Sequence, residues 1–172
     1  PLIYRGDALP QELYGNVFVV DSPTNLVHLV KLNNDGAGNL SGADYWPKGE
    51  FLASTDQWFR PMNLGVGPDG AIYIVDMYRE IIEDFSAIPR FLQQQYAESL
   101  IAGKNHGRLW RLSWQAGPAS VRPAPLRLDR AMADELVKHL DHPNPWWRET
   151  AQRLLVERQD GSAVFRVADS GI

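Results

Sequence analysis

The hydrophobic period of this sequence changes once, and that change decides what the chain can fold into. From Pro1 to about Trp114, apolar residues come in short runs rich in Val, Ile, Tyr, Phe and Trp, with Gly, Pro, Asn and Asp between them. Such runs suit pleated, half-buried strands. Beyond Pro125 the apolar residues recur every three or four positions, the period of an amphipathic helix. The pattern predicts strands over Leu2–Arg5, Asn16–Val20, Leu26–Leu32, Glu50–Ala53, Leu64–Gly67, Ala71–Asp76 and Arg108–Trp114. The strongest turn signal is Pro68-Asp69-Gly70, set between two apolar runs. Proline presets the first turn residue and glycine tolerates positive φ, so these runs form a hairpin.

One segment breaks the strand texture. Phe91, Leu92, Tyr96 and Leu100 fall near helical spacing, which predicts a helix over Ile88–Ile101 ended by Gly103. Residues 1–116 therefore read as a β framework with a helical excursion near 88–103. Residues 117–128 read as a linker, because Gly117–Pro125 holds three prolines and no periodicity. Residues 129–160 read as an αα-hairpin. Its first helix, Arg130–Leu140, carries Met132, Leu136, Val137 and Leu140 on one face, with Asp129 as N-cap. Its second starts at Asn144 with Pro145 in the first helical position, and Trp147, Ala151, Leu154 and Leu155 form the stripe. Trp146-Trp147-Arg148 could serve a partner surface, but the stripe favours packing. Residues 161–172 show no pattern and read as an irregular, truncated tail. The chain opens on Pro1 rather than Met, and we read it as a piece of a larger protein.

Composition removes several functions. Seventeen Lys and Arg against 21 Asp and Glu leave a net charge of -4, which argues against a nucleic-acid binder. Without cysteine, these residues cannot supply disulfides, zinc thiolates, iron–sulfur clusters or covalent haem attachment. No apolar run approaches the roughly 20 residues that span a bilayer. His28, His106, His139 and His142 show no metal-ligand spacing, so no metal site is expected.

The chemistry concentrates in Ser54–Asn63 and Asp76–Glu80. Polar, charged and aromatic side chains gather there just before one strand and just after another, where sites are built on rigid scaffolds. Arg60 could hold a carboxylate or phosphate in a bidentate fork, and Trp58 could stack on a ring. Asp76 could ligate a hard cation or hold Arg79. Asp56, Trp58, Asn63, Asp76, Tyr78 and Arg79 are the candidates for one face of the fold.

Gly67-Pro68-Asp69-Gly70-Ala71-Ile72-Tyr73-Ile74-Val75-Asp76 resembles the blade signature of NHL-type and glucose/sorbosone dehydrogenase-type β-propellers. Tyr14-Gly15-Asn16-Val17-Phe18-Val19-Val20, Phe59-Arg60-Pro61-Met62-Asn63-Leu64 and Gly107-Arg108-Leu109-Trp110-Arg111-Leu112 resemble the last two blades of the quinone-dependent sugar dehydrogenases. Phe51–Pro61 with Val75–Glu80, followed by His142–Leu155, narrows the resemblance to the planctomycete-type membrane-bound dehydrogenases, which join such a propeller to HEAT repeats and often to a c-type cytochrome domain. The resemblance implies a mainly β fold with a C-terminal α part: a partial β-propeller of about two blades followed by a HEAT-like αα-hairpin. It implies a fragment of an exported, periplasmic bacterial oxidoreductase that oxidises a sugar or polyol and passes electrons to haem c in a domain outside this chain. Pyrroloquinoline quinone is the implied cofactor, with Arg60 as its carboxylate anchor. The loop where the family carries a quinone-binding lysine reads Asp21-Ser22-Pro23-Thr24-Asn25, without lysine. The implied partners are the remaining blades and repeats of the parent protein. The alternative is a non-catalytic propeller/HEAT binding scaffold, since both folds present broad interaction surfaces.

Overall fold

The computed structural model describes residues 1–114 and 127–158. The linker expected over 117–128, except its last two residues, and the tail over 161–172 lie outside the described residues. Eight strands and three α-helices occur among the described residues: β1 (Leu2–Ile3), β2 (Val17–Asp21), β3 (Leu26–Asn34), β4 (Leu40–Asp44), β5 (Leu52–Ala53), β6 (Pro61–Val66), β7 (Ile72–Asp76), α1 (Arg90–Gln95), β8 (Arg108–Leu112), α2 (Ala133–Lys138) and α3 (Pro145–Arg158). The chain is thus mainly β with C-terminal helices, and its sheets are antiparallel. No helix among the described residues is long and apolar enough to cross a membrane.

Contacts divide the chain into two compact units. The first comprises Pro1–Tyr4, Gly15–Gly65 and Tyr73–Leu112. One sheet runs β1-β2-β3-β4, with β5 also pairing β3. Val19 lies opposite His28 in the β2–β3 ladder, and Val30 opposite Asp44 in the β3–β4 ladder. The second sheet runs β6-β7-β8. Alternation sends Phe18, Val27 and Leu29 inward, and Phe18 meets Tyr4 and Phe51 edge-on at 6.1 and 4.7 Å. Edge-to-face contact suits the quadrupoles of aromatic rings.

The second unit comprises Arg5–Tyr14, Val66–Ile72 and Ser113–Ile172. Its core joins Leu128, Ala131, Leu136, Trp147 and Ala151, with Leu140, Trp146, Leu154 and Leu155 packed against them. Asn144 caps α3, its Oδ1 accepting the Trp146 N–H at 3.0 Å. Its amide nitrogen donates to the Gly67 and Pro68 carbonyls at 3.0 and 3.2 Å, and the Trp147 indole donates to Pro68 at 2.8 Å. The Pro-Asp-Gly turn is therefore seated on the start of α3. Gly70 sits at φ +73° with no room for a Cβ, which would lie 2.0 Å from the Asp7 carboxylate.

One strand was not expected, and three expectations need correction. β4 carried no apolar signal because every residue in it is exposed, as an edge strand can be. The helix expected over Ile88–Ile101 is only Arg90–Gln95: Tyr96 leaves the helical backbone, and Phe91 is exposed rather than packed. The first C-terminal helix starts at Ala133, after a 3-10 turn over Leu128–Arg130, so Met132 is its N-cap and is exposed. Asp129 is not the cap; its carboxylate pairs with Arg127 instead.

Candidate functional site

Asp76 ends β7 and is buried, so its charge must be met inside the protein. Oδ1 accepts the backbone N–H groups of Arg60 and Tyr78, each at 2.9 Å. Oδ2 accepts Arg108 Nε at 2.8 Å and the Trp110 indole N–H at 3.0 Å. Burial would raise the Asp76 pKa; the Trp110, Arg60, Arg108 and Tyr78 donors outweigh it and hold the carboxyl below its ordinary 3.8. The Arg108 guanidinium also reaches Asp56 at 3.3 Å and lies over the Tyr78 ring, 3.6 Å from its centroid. Trp110 flanks it at 4.9 Å. This fixes Arg108 on three sides: by charge, by hydrogen bond and by cation–π contact.

Tyr78 holds φ +52°, a left-handed backbone that costs a residue with a Cβ roughly 1–2 kcal/mol. Its bond to Asp76 helps to secure that conformation. Trp58 stands 5.5 Å from the Tyr78 ring and His106 stands 6.4 Å from it. Gly103, at φ +77°, lets the preceding loop pass against this group: a Cβ there would lie 2.4 Å from the Tyr78 carbonyl.

The structure brings Asp56, Trp58, Asp76 and Tyr78 together. Arg60 and Arg79 contribute differently. Arg60 Nε donates to the Arg79 carbonyl at 3.0 Å, one terminal nitrogen to Ser22 and Pro23 at 3.1 and 3.3 Å, and the other to Glu80 at 2.7 Å. Its fork is spent on four backbone carbonyls that join three chain segments. It is a brace, and the quinone carboxylates expected there do not fit it. Arg79 offers backbone only to this group: its N–H meets the Trp58 carbonyl, and its carbonyl meets Arg60. The cationic partner of Asp76 is Arg108, not Arg79, and four N–H donors leave Asp76 ill-suited to a cation. Asn63 is exposed on β6 and accepts the Leu64 N–H, apart from the cluster.

Sequence reading missed Arg108 and Trp110 as site residues. The available signal was their i, i+2 spacing on a strand, which sends both side chains to one face. They line a groove of about 300 Å³ with Leu52, Ala53, Ser54, Asp56 and Phe59. The lining is mostly apolar and includes the Arg108–Asp56 pair. Among the described residues no group of three or more His, Cys, Asp or Glu is arranged to hold a metal.

Compared with known proteins, residues 1–116 match the profile of a domain of unknown function, DUF7133. No curated protein and no solved structure matches the chain.

Proposed function

The chain belongs to the DUF7133 family, and from that footing we propose that it is the closing part of a larger β-propeller oxidoreductase. In this reading residues 1–116 are the last two blades of a glucose/sorbosone dehydrogenase-type propeller, and residues 129–160 are the first HEAT-like repeat. The parent is an exported, periplasmic bacterial protein that oxidises a sugar or polyol. The oxidising group, the proton acceptor and the haem that takes the electrons belong to parts of the parent outside this chain. Two sheets of sequential antiparallel strands support the blade assignment.

The observation that carries the substrate class is the groove lined by β5 and β8. Trp110 offers a flat apolar surface, and Asp56 and Ser54 offer hydroxyl partners beside it. A sugar or polyol presents both C–H surfaces and hydroxyls, so it matches a lining of both kinds. Arg108, locked by Asp76, fixes the Asp56 carboxylate. A second reading, a non-catalytic scaffold, draws on Arg60 and Asp76, whose hydrogen bonds are spent within the fold. Steady-state sugar oxidation by the parent protein with Asp56→Asn separates the two. The oxidoreductase reading expects KM to rise about tenfold, the effect of one charged hydrogen bond, with kcat less affected. An unchanged KM would remove the groove from the reaction and leave the scaffold.

A further inference from the structure

A second recess lies on the first sheet, away from the Asp76 cluster. Beyond β2, the other edge of β3 is paired by β4 at Val30–Asn34 and by β5 at Leu26–Val27. His28 and Leu29 fall in the gap between those ladders. The chain crosses this gap as the loop from Tyr45 to Phe51, tied by Tyr45 N–H to the Leu29 carbonyl at 3.0 Å. The result is a cavity of about 150 Å³ lined by His28, Asp44, Trp46, Lys48 and Glu50 among others.

Its walls are unequal. Trp46 stacks within 10° of parallel on Phe51, whose ring abuts the core at Phe18, and Tyr45 braces its edge at 4.8 Å. The indole is thereby held in one orientation and still 42% exposed. On the polar side, Glu50 accepts from His28 Nδ1 at 2.6 Å, and Asp21 lies 3.5 Å from His28 Nε2. The His28 brace orients Glu50. Asp44 and Lys48 line the same cavity, and neither side chain is tied to another group among the described residues.

We propose that this recess is a binding site for one neutral pyranose ring, independent of the redox reading above. The rigid indole face suits the axial C–H groups of a sugar, and Asp44, Glu50 and Lys48 suit its equatorial hydroxyls. The volume is below that of drug-sized sites, so it admits one ring rather than a chain. Three carboxylates, Asp21, Asp44 and Glu50, against Lys48 and His28 disfavour an acidic sugar.

Saturation-transfer NMR on the full chain, with D-glucose, D-glucosamine and D-glucuronate as probes, tests this without turnover. Glucose is expected to bind, and glucuronate at least about tenfold more weakly. Trp46→Ala weakens glucose about tenfold, the worth of one aromatic stack, while Trp46→Phe keeps the face and stays within about threefold. Asp44→Asn weakens it severalfold, and Phe91→Ala, at an exposed position of α1 that lines neither recess, leaves it unchanged. Should Trp46→Ala not fold, Trp46→Phe and Asp44→Asn carry the comparison. Undiminished glucose binding in a folded Trp46→Ala, binding of glucosamine alone, or transfer to none of the three sugars would overturn the proposal.

Discussion

A single carboxylate organises the residue scale of this protein. Asp76 takes two backbone N–H groups that fix Arg60 and Tyr78, and two side-chain donors that fix Arg108 and Trp110. Removing it takes the nearer carboxylate from the partly exposed Arg108 and the acceptor from three N–H groups, so Asp76→Ala should cost about 3–5 kcal/mol in a denaturant melt. The pH dependence has a definite sign. Because the folded pKa lies below 3.8, the stabilisation by Asp76 is fully present above that value and lost as pH falls through the folded pKa. Melts of wild type below pH 4 should therefore drop more steeply than those of Asp76→Asn; parallel acid limbs would contradict this. The sequence named Asp76 as charged and strand-terminal but could not name its partner. Arg79 was three residues away and Arg108 thirty-two, and only the β7–β8 pairing brings the distant one in. Arg60 was legible as important and misread in role. Its neighbours in sequence do not reveal that backbone carbonyls of Ser22, Pro23, Arg79 and Glu80 converge on it.

At the scale of elements, the Pro-Asp-Gly hairpin turn and the start of α3 form one joint. The turn and the Asn144-Pro145 helix start were both legible, because each is local chemistry. Their union was not, because it spans 76 and 77 residues. The union makes a prediction that local chemistry would reverse. Aspartate is as good an N-cap as asparagine, so Asn144→Asp should be neutral for an isolated helix. Here it loses both donors and turns a carboxylate toward the Gly67 and Pro68 carbonyls. We expect a loss of about 2–4 kcal/mol in thermal or urea unfolding, from two lost hydrogen bonds and a buried carboxylate held against two carbonyl oxygens. A stability equal to wild type would mean that the turn does not depend on this cap. β4 was hidden for the opposite reason: it buries no apolar face that would leave a period in the sequence.

For the whole molecule, chain order and structural order differ. The C-terminal helices share a unit with Arg5–Tyr14 and Val66–Ile72, so that unit is assembled from three stretches of sequence. A polypeptide holding only the helical hairpin lacks the carbonyls that Asn144 and Trp147 donate to. It should show little cooperative melting by circular dichroism, and a sharp melt of that piece would contradict the assembly described here. The same order gives the groove its parts: Ser54 and Asp56 come before the hairpin, and Arg108 and Trp110 come after it. The most direct test of the proposed role is reduction of an artificial electron acceptor by the intact parent protein across a panel of pentoses, hexoses and polyols. The account predicts substrate-dependent reduction by at least one of them, saturating with concentration. Reduction no faster than the sugar-free blank across the whole panel would contradict it.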